Sequence, residues 1–294
     1  GRDMTAFRSP GAAARAPGGL APHGNATRRR KPMMWIHIHK AGGTFLCAAA
    51  SKNGEHIVHP GINCNWRLHD DGVGGLMSQR TNCSTRTRHF EENHYTWGQV
   101  ERVLADEFCF DKFDYGIWLR DPVRLAESAA NHWESFGRYT RDEIAGNLDC
   151  VAEAPGEPCG AASRNPELPL WKYFDNYAVR FIGGPEVWDL PPGRVERRHA
   201  ELAWDRLARF AFVAPMEDVV SSQGARDVLF AKTAWALWPG AQDTSNPQGL
   251  RITPGHAIEF TSEEEALIRG LDKHDYMLYE RASAWLARAR AGAA

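Results

Sequence analysis

The 294-residue chain has no long apolar run, little net charge and no Cys-x-x-Cys pair. No stretch approaches the ~18–20 continuous apolar residues of a membrane span, so any membrane anchor would have to lie in a segment outside this chain. With 35 Lys and Arg against 37 Asp and Glu, the net charge is -2, which gives no general electrostatic reason to expect nucleic acid as a partner. The six cysteines (Cys47, Cys64, Cys83, Cys109, Cys150 and Cys159) never occur at zinc-ribbon spacing, which argues against structural zinc. Internal repeats are also missing. What is there, 43% hydrophobic and 11% aromatic residues, suffices for a sizeable globular core.

Residues 1–32 are rich in Gly, Ala, Pro and Arg and carry no apolar periodicity, so they read as a disordered basic stem ahead of a single domain over 33–294. The even cysteine count permits three disulfides. Cys150–Cys159, closing a short Pro/Gly-rich loop, is the best single pairing. Together with the sequons Asn25-Ala26-Thr27 and Asn82-Cys83-Ser84, the cysteines point to a secretory lumen.

Met33 to His39 reads as a buried strand and Thr44 to Lys52 as a helix. Residues 53–96 read as irregular, and Gln99 to Phe108 as a short amphipathic helix. Phe113 to Leu119 is a second strand, running into a helix opened by Pro122. Residues 146–168 form a Pro/Gly-rich excursion. Helices are expected over 171–182, 195–209, 219–237 and 263–290, with a third strand over 210–214. Strands alternating with helices predict an α/β fold with a central parallel sheet flanked by helices.

Two strings sit at strand-to-helix junctions. In His39-Lys40-Ala41-Gly42-Gly43-Thr44-Phe45-Leu46, the glycine pair permits a sharp turn that brings N–H groups to an anion at a helix N-terminus. Lys40 adds a point charge and Thr44 a hydroxyl. The G-x-x-x-x-G-K-[ST] spacing of the common nucleotide-triphosphate loop is not met. The second string is Leu119-Arg120-Asp121-Pro122-Val123-Arg124, with Ser128 eight positions after Arg120. Ligands in open α/β sheets bind beyond the carboxyl ends of the strands, so both strings should face one crevice.

Taken together, these strings resemble the sulfotransferases that use 3′-phosphoadenosine-5′-phosphosulfate (PAPS), in particular the Golgi carbohydrate branch with the heparan sulfate O-sulfotransferases. Ile36 to Phe45 is similar to the first loop of the 6-O enzymes, and Leu119 to Val123 to the second. Asp175 to Ile182, Phe210 to Glu217 and Leu271 to Tyr279 resemble later family segments, so the likeness spans roughly residues 34–286, in the family's order. It implies a P-loop-nucleotide-binding-like fold. It also implies a 5′-phosphosulfate site at Lys40, Ala41, Gly42, Gly43, Thr44 and Phe45, and a 3′-phosphate site at Arg120 and Ser128. The reaction it implies is in-line sulfuryl transfer to a hydroxyl, most readily of a glycan in the Golgi or secretory pathway, leaving 3′-phosphoadenosine-5′-phosphate (PAP), without a metal.

His94-Tyr95-Thr96-Trp97 resembles the His-x-x-Trp segment that supplies the family's general base, which assigns catalysis to His94 with Lys40. His69, His89, Glu91 and Glu92 compete for that role. His37 reads as a packed strand residue, and His39 as one that could approach the site. The rival readings are a nucleotide-dependent kinase and a non-catalytic glycan-binding protein on the same fold.

Overall fold

The computed structural model describes residues 31–65, 82–101, 103, 108–135, 137–153, 155–157, 159, 169–239 and 258–292. Residues 1–30 of the expected stem lie outside them. Pro32 leads into β1 (Met33–Ile36), whose four residues are all buried. An apolar run without alternation is what a strand covered on both faces requires. The Gly pair then turns the chain into α1 (Gly43–Lys52).

A 3-10 turn (Pro60–Ile62) is followed by α2 (Cys83–Glu92), β2 (Trp97–Val100), β3 (Asp114–Leu119), α3 (Pro122–Ser135) and α4 (Arg141–Glu153). A second 3-10 turn (Leu170–Phe174) leads to α5 (Tyr177–Gly183), α6 (Pro185–Trp188), α7 (Arg197–Leu207) and β4 (Phe212–Pro215). The chain continues through α8 (Met216–Ser221), α9 (Gln223–Thr233), α10 (Ser262–Leu271) and α11 (Lys273–Arg290).

The strands form one sheet in the order β2-β1-β3-β4, and every neighbouring pair is parallel. This is the α/β architecture with flanking helices that the alternation predicts. The chain leaves β1 for β2 on one side and then crosses to β3 on the other. The carboxyl ends of β1 and β3 therefore flank a topological switch point, the usual place for a ligand crevice.

Several element boundaries differ from the sequence reading. Gln99 opens no helix. It lies fully buried in β2, paired with Trp35, because Trp97 to Val100 gain two-sided burial against β1 that outweighs a weak helical period. The 53–96 region is not wholly irregular, since it holds α2, capped by the Asn82 side chain accepting from the Thr85 N–H. Residues 146–153 belong to α4.

The helices expected over 171–182 and 263–290 each break, and for one shared reason. Asp272, in the kink between α10 and α11, accepts from the Asn176 N–H, and Asp275 accepts from the N–H groups of Ala178 and Val179. Breaking both helices thus caps the buried start of α5, whose first-turn donors have no partner within the helix. Arg180 and Asp175 form a fully buried ion pair beside them. The helix expected over 219–237 is likewise interrupted, at Ser222.

All six cysteines pair: Cys47–Cys64, Cys83–Cys109 and Cys150–Cys159, with sequence separations of 17, 26 and 9. Closing the two longer loops is worth about 3 kcal/mol each in chain entropy. Three disulfides accord with an oxidising secretory compartment. Among the described residues no helix is long and apolar enough to cross a membrane.

Candidate active site

The loop after β1 is held by four neighbours. The Trp118 indole N–H of β3 donates to the Ala41 carbonyl, and Arg120 Nη1 donates to the Lys40 carbonyl at 2.7 Å. Gln99 Nε2 of β2 donates to the Gly43 carbonyl at 2.8 Å. The Gly43 N–H donates to His37 Nε2 at 3.0 Å.

These ties fix Lys40 at φ 68°, a left-handed conformation that costs a lysine of order 1 kcal/mol and persists only where the surroundings impose it. Gly42 takes φ 69° against the Trp118 ring. Gly43 is required for a different reason from the one the sequence suggests: a Cβ there would stand 2.1 Å from His37 Cε1, so the position is closed by an imidazole.

The first turn of α1 keeps two donors for a ligand. The N–H groups of Thr44 and Phe45 have no hydrogen-bond partner among the described residues. The Thr44 hydroxyl is engaged, donating to Asn63 Oδ1 at 3.1 Å. Across the crevice, the buried Arg120 Nε has no partner either. Ser128 lies half-buried on α3 one helical turn before His132, whose ring sits 5.2 Å from that of His39. The α3 face bearing Ser128 and His132 therefore looks onto the loop of β1.

Charge here is unbalanced. Burial and the nearby Arg120 lower the pKa of Lys40. Burial also works against the charge on Arg120. His132 is pushed down to about 4 by burial and by Lys40. His39, the more so because it is deeply buried and also faces His132, Lys40 and His37, is held well below the ordinary imidazole value. Two cationic side chains, Lys40 and Arg120, and unpaired donors thus meet at a helix N-terminus, with the Glu101 carboxylate partly offsetting Lys40. Such a site gains from any anion that enters it.

The second string is braced by the two segments furthest along the chain. Glu217, at the start of α8, accepts from the Asp121 N–H at 3.2 Å and from the Tyr279 hydroxyl at 3.0 Å. Tyr276 reaches Asp121 Oδ2 at 3.2 Å. The Phe210–Glu217 and Leu271–Tyr279 strings therefore converge on the same end of the sheet.

The structure brings together Lys40, Ala41, Gly42, Gly43, Thr44, Phe45 and Arg120, and places Ser128 on α3 one turn before His132. It does not bring His94 to them. Because β2 runs parallel to β1 with Trp97 beside Met33, a residue three positions before Trp97 lies beyond the amino end of the sheet. At ~3.3 Å per residue, the strand alone puts about 10 Å between that end and the loop. His94 is exposed there, with φ 55° and its carbonyl 3.0 Å from His56 Nδ1. Glu91 and Glu92 are exposed nearby, His89 lies in the same helix, and His69 lies outside the described residues.

Residues not singled out from sequence stand at the crevice instead. Trp118, Gln99, His132 and Glu101 all do so, and so does Tyr173, whose hydroxyl is 2.6 Å from His39 Nδ1. Reading 97–100 as a strand would have flagged Glu101, since charged residues just past a parallel strand face the ligand end. Among the described residues no group of three or more His, Cys, Asp and Glu could hold a metal ion.

No protein-family model and no curated protein matches the chain. It is similar to the solved structure of a sulfotransferase from Alicyclobacillus acidocaldarius, with 15% identity, a TM-score of 0.47, and coverage of 86% of this chain and 96% of that one.

Proposed function

We propose that this chain is an O-sulfotransferase that moves a sulfuryl group from PAPS to a hydroxyl, most readily on a carbohydrate in the Golgi or secretory pathway. The observation that carries the reading is the convergence, at the switch point between β1 and β3, of Lys40, the unpartnered N–H groups of Thr44 and Phe45, and the unpartnered Nε of Arg120. A donor with a phosphosulfate at one end and a phosphate at the other supplies the two anions these groups lack. The three disulfides and the exposed Asn82 sequon support the secretory assignment.

In this reading the α1 N-terminus and Lys40 hold the 5′ end and Arg120 with Ser128 the 3′-phosphate. As the sulfur–oxygen bond to phosphate breaks, Lys40 stabilises the charge left on the bridging oxygen. That stabilisation and in-line positioning do most of the work, as they do in phosphoryl transfer. The proton of the attacking hydroxyl needs a group at this same end of the sheet, so the base is not assigned to His94.

The test is calorimetric titration with PAP, followed by labelled PAPS against a panel of desulfated glycosaminoglycans and small alcohols, with ATP and Mg²⁺ as a control. PAP binding with label transfer is expected. Phosphoryl transfer from ATP without PAP binding would establish the kinase reading instead. PAP binding without transfer to any acceptor would leave a binding protein.

A further inference from the structure

We propose that Glu101 is the group that accepts the proton of the attacking hydroxyl. The inference rests on the sulfuryl-transfer reading above and adds to it the residue that completes the reaction.

Glu101 is the first residue past β2, so its position in the sheet puts it at the carboxyl end beside the loop of β1. Its side chain is only 8% exposed. Three neighbours aim it. Asn65 Nδ2 donates to Oε2 at 3.0 Å. His37 Nδ1 lies 3.6 Å from the same oxygen, and His39 Nε2 lies 3.9 Å from Oε1. Because His37 Nε2 accepts from the Gly43 N–H, its proton must sit on Nδ1, the nitrogen facing the carboxylate.

One buried chain of contacts therefore joins the anion loop to Glu101: Gly43, His37, then the carboxylate. Of the roughly four acceptor positions of a carboxylate, the described residues fill one with a hydrogen bond, and Oε1 receives none.

The other basic groups nearby are worse placed. His39 already uses Nδ1 on the Tyr173 hydroxyl and turns Nε2 toward Glu101. His132 lies beside Lys40 and is pushed down to about 4 by burial and that charge, which makes it a weak proton acceptor. A buried carboxylate beside an anion cradle also opposes binding of an anionic donor. Its presence is explained if the reaction needs it.

The step balances as follows. The acceptor oxygen forms its bond to sulfur while the bond from sulfur to the bridging phosphate oxygen breaks, and that electron pair stays on the phosphate beside Lys40. The hydroxyl proton passes to a Glu101 oxygen and is later released to water.

The experiment compares the wild type with Glu101→Gln. It measures PAP affinity by calorimetry and label transfer from PAPS to the most responsive acceptor of the panel, with release of labelled sulfate to water as the acceptor-free readout. Turnover in E101Q is expected to fall ~10²–10⁴-fold, the usual loss for a general base. PAP affinity should stay level or tighten, because a repelling charge is gone. A structural residue would weaken both.

Turnover in E101Q within threefold of wild type overturns the proposal and leaves the donor site standing. If E101Q does not fold, Glu101→Asp replaces it. That variant keeps the charge but withdraws it by one methylene, and undiminished turnover there overturns the proposal too. A wild type that binds PAP but transfers to nothing, water included, is a binding protein and overturns the transferase reading together with the proposal, whereas an E101Q protein as active as the wild type overturns the proposal alone. A wild type that binds no PAP overturns both readings.

Discussion

The two ends of the central sheet are built on opposite principles. At the amino end, polar groups near His94 satisfy one another in solvent. Thr96 donates to Glu55 at 2.6 Å, the His56 N–H donates to Thr96 at 2.9 Å, and His56 Nδ1 meets the His94 carbonyl. At the carboxyl end, the charged Lys40 and Arg120 are largely buried, and the N–H groups of Thr44 and Phe45 and Nε of Arg120 have no partner among the described residues. The first end is a finished surface. The second holds unspent charge, and burial makes that charge costly unless a ligand offsets it. The direction of the strands, more than the local sequence string, decides which polar residues are available for chemistry.

The contrast can be broken by substitution. Lys40→Ala is expected to have the largest effect at the carboxyl end. Turnover from PAPS should fall ~10²–10³-fold, the range for removing one group that stabilises developing charge, and PAP affinity should fall with it. Initial rates and calorimetry read the two separately, and an undiminished rate would remove the loop of β1 from the reaction.

Arg120→Ala comes next. Loss of a charge-assisted contact costs ~1.5–3 kcal/mol, so PAP should bind ~10–100-fold more weakly. Adenosine 5′-phosphosulfate, which lacks the 3′-phosphate, should lose less. Equal losses would mean that Arg120 acts only by holding the Lys40 carbonyl.

A smaller effect concerns acid stability. His132 has a folded pKa pushed below its unfolded value of 6.5, to about 4. In the unfolded chain it takes up a proton between those values while the folded protein resists, so stability present above pH 6.5 is lost as the pH falls toward 4. Partial exposure moderates the loss. In thermal melts His132→Gln should show a shallower decline than the wild type between those pH values. Parallel declines would place the acid sensitivity elsewhere.

The smallest effect is expected at the amino end. His94→Ala should keep turnover within about twofold and PAP affinity unchanged, since replacing an exposed side chain away from the crevice rarely matters. A 100-fold loss of turnover in a folded H94A protein would erase the distinction between the two ends.

Much of this arrangement was legible in the sequence. Both junction strings were visible because glycine, proline and charge punctuate strand ends in a way that packing does not disguise. The parallel sheet followed from the alternation of elements, and the Cys150–Cys159 pairing from a short loop. What was not legible depended on contacts distant in sequence. The break at Asp272 exists because α5, nearly a hundred residues earlier, needs donors capped, and helical periodicity carries no trace of that. Glu101 was hidden because Trp97 to Val100 are too few to show a strand period and acquire one only by lying against Met33 to Ile36. Likeness to a His-x-x-Trp string could point to His94 but could not say which end of the strand the string would occupy.

The contact between His37 and Gly43 ties the histories of two positions together. With an imidazole at 37, no side chain fits at 43, where even a methyl group would overlap the ring. With a smaller residue at 37, the Gly43 N–H loses its acceptor and the glycine loses its steric justification. Neither site can drift alone without a penalty, so the two should change together or not at all. Relatives of this chain that lack the histidine are therefore the ones in which a residue other than glycine becomes possible at position 43.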